Sequence, residues 1–154
     1  MARFRFRLER VLSVRRHEED REKLRFAVAV RNLEEARKNL RATREELRRA
    51  VEKGAAVAAA RPTIEDLVRD YEYRAALLRR EERETKAVEE AQERYEEARR
   101  YLIEARKKRR LLERLRERRF EEWREEEIRR EQEELDEMGV AGFRRLREEE
   151  ALVG

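Results

Sequence analysis

Phe26, Leu33, Leu40 and Leu47 recur at intervals of seven residues, Ala29, Ala36 and Ala50 follow the same beat, and Thr43 fills the slot between the last two. Apolar side chains repeating in this way line one stripe of an α-helix that must be covered by a second helix. Leucine facing alanine allows the two axes to approach closely and favours an antiparallel pair. Charged residues make up 52% of the chain, against roughly 25% in an ordinary globular domain. Such a chain cannot enclose a thick core, but it can bury one stripe. Disorder, the other outcome of so much charge, is excluded because the apolar residues are periodic rather than scattered.

Turn residues are too rare for a strand-rich fold: Gly54, Gly139, Gly142 and Gly154 are the only glycines and Pro62 the only proline. A strand-rich chain needs such residues every ten or so positions. The expected fold class is therefore all-α, with two long helices in an antiparallel coiled-coil hairpin. The first helix is expected over about 4–53, the turn over 54–62 and the second helix over 63–138. A short extension covers 139–154, and the whole chain forms one domain. The seam stops at Gly54, Pro62 disfavours helix at Arg61, and Thr63 with Asp66 has the spacing of a capping box. The second seam reads Ile64, Val68, Tyr71, Ala75, Leu78, Thr85, Val88, Ala91, Tyr95, Ala98, Leu102, Ala105 and Leu112. Two successive intervals of three between Thr85 and Ala91 predict local overwinding. Upstream, Arg15, Glu19 and Glu22 occupy seam slots, so that stretch is expected either to pair weakly or to serve another purpose.

If the chain reverses near residues 54–62, Phe26 faces the neighbourhood of Glu90 and Phe4 that of Leu112. Residues 113–138 then have no mate, although they carry Leu115, Phe120, Trp123, Ile128, Leu135 and Met138. Exposed aromatic residues on a charged helix point to a contact surface. Self-association of the overhangs, or an N-terminal arm packed over them, are the alternatives. Charge is also segregated. Arg3, Arg5, Arg7, Arg10, Arg15 and Arg16 are opposed only by Glu9 up to residue 16, residues 106–119 form a second basic block, and residues 121–137 are mostly acidic. Such polarity steers charged partners.

The residues argue against several classes. No cysteine is present, so there is neither a disulfide frame nor a thiolate site. His17, the single histidine, has no second histidine to complete a zinc-binding pair. Phosphate-binding loops and nucleophile elbows are missing, and two helices offer no concave pocket. No enzyme activity and no cofactor or metal is expected. No stretch approaches the ~18 apolar residues of a membrane span, so a cytoplasmic protein without direct membrane insertion is expected. The basic block over 106–119 suits phosphates only weakly, because acid follows it directly, and no nucleic-acid partner is expected.

Phe4-Arg5-Phe6-Arg7-Leu8-Glu9-Arg10-Val11-Leu12 resembles the opening of the flagellar export protein FliJ family, a short F-x-F-x-L-x-x-[VL]-L run ahead of a charged helix. Phe120-Glu121-Glu122-Trp123 followed by residues 131–137, Glu-Gln-Glu-Glu-Leu-Asp-Glu, is similar to that family's C-terminal signature, with Glu133 where the family carries a basic residue. Phe143 supplies the downstream aromatic, and Tyr71-Glu72-Tyr73 is similar to an aromatic spot near the hairpin tip. The resemblance implies a component of the flagellar type III protein export apparatus, peripheral at the cytoplasmic face of the cell membrane and shaped like the central stalk of rotary ATPases. Its implied partners are the hexameric export ATPase FliI, the export gate protein FlhA and export chaperones. It further implies ATPase contacts from Phe4, Arg5, Phe6, Arg7, Leu8, Phe120, Trp123, Ile128, Gln132, Leu135, Asp136 and Glu137, and gate contacts from Tyr71, Tyr73 and Leu77. A rotary-ATPase stalk subunit and a structural or nucleic-acid-associated coiled coil are the alternative readings of the same architecture.

Overall fold

The computed structural model describes residues 2–154, which form two long helices, α1 (Glu9–Ala59) and α2 (Ile64–Val153), with no strand among the described residues. The fold is all-α, and the second helix is the longer. Where the two helices pair they run antiparallel. Two compact units divide the chain, one of residues His17–Arg106 and one combining the N-terminal residues through Arg16 with Lys107–Gly154.

In the unit 17–106 the helices face each other along the seam of α1. Ala29, Leu33, Leu40, Thr43 and Ala50 are buried, while Phe26, Ala36 and Leu47 are half-buried. Phe26 stacks at a tilt on Tyr95, with ring centroids 5.2 Å apart. Arg37 Nη2 donates to Gln92 Oε1 at 2.9 Å, and Arg44 Nε donates to Glu81 Oε1 at 3.2 Å, beside the seam. Phe26 therefore meets Tyr95 rather than the neighbourhood of Glu90. The cause is the turn. Helix α1 does not stop at Gly54 but continues to Ala59, because Ala55, Ala56 and the alanines at 58–60 are the strongest helix formers available. Each α1 residue consequently faces a position farther along α2.

Gly54 has a packing role inside the helix. A Cβ at this position would come within 2.9 Å of Asp70 Oδ2, and that carboxylate pairs with Arg74 at 2.7 Å. The absent side chain lets α2 approach closely here, at a helix-propensity cost of about 1 kcal/mol. Helix α1 ends where Arg61 adopts φ 53°, the only left-handed residue other than glycine among those described. A left-handed residue just past a helix closes its last turn, and Pro62 prevents continuation. Thr63 then caps α2. Its Oγ1 accepts from the Asp66 N–H at 3.2 Å, while the Thr63 N–H donates to Asp66 Oδ2 at 3.2 Å.

The first part of α2 departs from the apolar reading. Ile64, Val68, Tyr71 and Leu78 are exposed, and the helix instead turns Asp70, Arg74, Leu77, Glu81 and Glu84 toward α1. With those residues in the seam, intervals of four and three alternate without a break through Val88, Ala91, Tyr95, Ala98, Leu102 and Ala105. The overwinding expected near Thr85 is therefore unnecessary, since polar residues keep the heptad continuous. The N-terminal part of α1 shows the same solution. Glu19, only 3% exposed, accepts from Arg106 Nε at 3.3 Å and lies 3.6 Å from Lys23 Nζ, so the seam continues through it rather than weakening.

In the other unit, Leu12 is fully buried, and Arg16 and Glu113 pair at 3.5 Å. Helix α2 does not end near Met138 but runs through Gly139 and Gly142 to Val153. Glu137, Met138, Ala141, Arg144 and Arg145 lie around the two glycines, and their propensity carries the helix across both.

Candidate protein-docking surface

The first residues of the chain build one half of this surface. Residues 2–6 are not helical, and the Glu9 N–H donates to the Phe6 carbonyl at 3.2 Å as the helix begins. Side chains before the helix alternate. Phe4, Phe6 and Leu8 are half-buried, whereas Arg3, Arg5 and Arg7 are exposed. A period of two sends successive side chains to opposite sides, so one side of the segment is apolar and the other cationic.

The apolar side lies on α2. Phe4 meets Phe120 edge to face, with ring centroids 5.2 Å apart and planes at 79°, and it meets Trp123 at 5.8 Å. Phe120 and Trp123 contact each other at 5.8 Å. Phe6 and Leu8 share a groove with Leu115, Arg119 and Trp123. The Arg116 guanidinium stands 5.9 Å over the Phe4 ring, and its Nε donates to Glu9 Oε2 at 3.0 Å. Contacts of this kind, ring edge to ring face and cation over ring, orient the segment as well as bury it.

This arrangement corrects the expectation that everything after Leu112 lacks a mate. The later turn carries Phe4 past Leu112 to Phe120 and Trp123, so Leu115 and Trp123 are half-buried by the chain itself. Beyond Ile128, however, every residue is exposed. Leu135, Met138, Phe143 and Leu146 are each more than 60% exposed. Of the residues singled out from sequence, Phe4, Phe6, Leu8, Phe120 and Trp123 are thus brought together. Arg5 and Arg7 border them on the solvent side. Ile128, Gln132, Leu135, Asp136 and Glu137 lie farther along α2, exposed and apart from that cluster.

Charge concentrates around the cluster. The basic N-terminal residues and the basic stretch beginning at Lys107 fall in one unit, although they are about a hundred residues apart in sequence. Two acids among them are neutralised internally, Glu9 by Arg116 and Glu113 by Arg109 at 2.6 Å. Arg3, Arg5, Arg7, Arg10, Arg114 and Arg118 remain exposed, and the acidic stretch from Glu121 follows. The surface changes sign along α2, which favours a partner with the opposite pattern.

The second set of residues lies near the start of α2. Tyr71 is 70% exposed and Tyr73 more than half exposed, and Tyr71 continues the outward apolar face of Ile64 and Val68. Leu77 is 5% exposed and packs in the seam, so it turns toward α1 and not onto this outward face. The outward turn of Ile64 and Val68 was hidden in the sequence, where apolar spacing assigned them to the core. No group of three or more His, Asp or Glu residues is placed to hold a metal among the described residues, and no helix there is long and apolar enough to cross a membrane.

The sequence model of the family described as flagellar FliJ protein matches residues 4–148. No curated protein matches the chain. Among solved structures, a candidate YscO homolog from Chlamydia trachomatis is 24% identical, over 89% of this chain and 93% of that one, with a TM-score of 0.49. A likeness of that size bears no weight beside the family match.

Proposed function

The chain belongs to the flagellar FliJ protein family, a component of the type III protein export apparatus, and on that premise we propose that it binds the hexameric export ATPase as a central stalk. Residues 4–8, Phe120, Trp123 and the stretch from Ile128 to Glu137 make the contact. Binding promotes assembly of the hexamer and raises its turnover. The observation that supports this reading is the bare apolar face of α2 from Ile128 onward, with Leu135 64% exposed. Apolar side chains standing in water on a helix gain roughly 1.5–3 kcal/mol each when a partner covers them. Opposite charges on either side of the aromatic cluster orient the insertion.

The exposed tyrosines Tyr71 and Tyr73 form the contact for the export gate protein, and export chaperones bind the same chain. The protein then acts in the cytoplasm, at the inner face of the cell membrane.

The test is steady-state ATP hydrolysis by the cognate hexamer with and without the protein. Stimulation is expected, and a variant with Ile128→Ser and Leu135→Ser should lose it while keeping its helical circular dichroism, since both residues are exposed. Unchanged stimulation by that variant overturns the assignment. For the gate contact, Tyr73→Ala should weaken co-purification of the gate protein; undiminished recovery refutes it.

A further inference from the structure

Helix α2 from Ile128 to Val153 has a heptad seam of its own, made of Ile128, Gln132, Leu135, Gly139, Gly142, Leu146, Glu149 and Val153, in alternating steps of four and three. All of these residues are exposed. A Cβ built at Gly139 or Gly142 meets nothing within 4 Å. Glycine inside a helix is unfavourable relative to alanine, and no packing within the chain explains two of them on this stripe. A second helix approaching closely at that point does.

We propose that this segment pairs with the same segment of a second copy, antiparallel, with the two-fold axis between Val140 and Ala141. In that register each seam residue faces the complementary seam position. Leu135 of one copy meets Leu146 of the other, Ile128 meets Val153, and Gly139 meets Gly142 at the closest approach. Met138 and Phe143 flank the glycines and close over the gap. Gln132 meets Glu149, and its amide donates to the carboxylate.

Charge selects this orientation and a second copy as the occupant. At the flanks, Arg129 of one copy comes beside Glu150 of the other, and Asp136, Glu131 and Arg145 come beside Phe143, Leu152 and Met138. One flanking contact is attractive and none is repulsive. A parallel pair would gain Arg145 beside Glu150, but it would set Glu131 beside Asp136 and place Glu149 against Glu149 within the seam. Flanking charges of this kind decide orientation in coiled coils. Asp136, Glu137, Arg144 and Arg145 have no ion-pair partner among the described residues. Because Leu135 and Asp136 also belong to the ATPase contact proposed above, self-pairing withholds them from that ring.

The test uses the full chain without any ATPase, so its outcome is separate from that of the functional reading. Sedimentation should show the mass doubling as concentration rises, with Leu135→Glu or Leu146→Glu restoring the single-chain mass. The chain has no cysteine, so Leu135→Cys and Leu146→Cys can be prepared separately and oxidised alone or mixed. A disulfide-linked dimer is expected from the mixture and not from either variant alone. Equal cross-linking of each variant alone, or a single-chain mass at every concentration, overturns the proposal.

Discussion

Phe4 and Phe120 meet edge to face with ring centroids 5.2 Å apart, and Phe4 also meets Trp123 at 5.8 Å; through these contacts the non-helical start of the chain is held on α2. Phe4→Ala removes an aromatic pair and a half-buried ring. The expected loss is about 1–2 kcal/mol, the sum of the pair term and partial burial. Trp123 is the only tryptophan, so its emission reports the same event. A red shift should accompany the lower unfolding midpoint, and an unshifted spectrum would place the N-terminal segment elsewhere.

Thr43 is 0% exposed, and its Oγ1 has no hydrogen-bond partner. A buried hydroxyl left unpaired costs about 1–3 kcal/mol, whereas valine has nearly the same shape and no polar atom. Thr43→Val should raise stability by about 1 kcal/mol in urea unfolding, without a change in m-value.

The turn supplies a pair of opposite effects. Thr63→Ala removes the cap and should cost about 1 kcal/mol. Arg61→Gly should stabilise by about 1 kcal/mol, because only the native side chain makes the left-handed conformation at Arg61 unfavourable. Thermal unfolding of the two variants should move in opposite directions.

Gly54→Ala sets helix propensity, a gain of about 1 kcal/mol, against displacement of the Asp70 carboxylate from Arg74. The pair is worth about 0.3–0.5 kcal/mol, and moving the crowded oxygen adds to the cost. A net change below about 0.5 kcal/mol is expected. With Asp70→Ala already present, the same substitution should deliver the full propensity gain. Equal effects in both backgrounds would show that the close approach is not what retains glycine.

The α1 seam was legible because its buried positions are apolar; Leu33, Leu40 and Ala50 lie where the repeat puts them. Reading failed wherever the chain buries charge in a seam slot. Glu19 looks like an interruption until Arg106 is seen beside it, and that partner stands 87 positions away. Ile64, Val68 and Tyr71 attracted the seam assignment because they are apolar, yet Asp70 and Arg74 hold those slots. The site shared this weakness. Phe4 and Trp123 could each be singled out by residue type, but their contact depends on where the chain turns, and a run of alanines after Gly54 moved that point beyond the first break in the pattern. The continuation of α2 past Met138 was missed because two glycines suggested an end, although residues that sustain helix surround them.

The charged seam also restrains sliding. Were α2 to slip by one heptad in one direction, Glu113 would arrive where Arg106 now meets Glu19. A slip in the opposite direction would bring Arg74 to the place where Glu81 now meets Arg44. Either step exchanges an attraction for a repulsion, so within residues 17–106 the two helices are indexed against each other like the teeth of a ratchet.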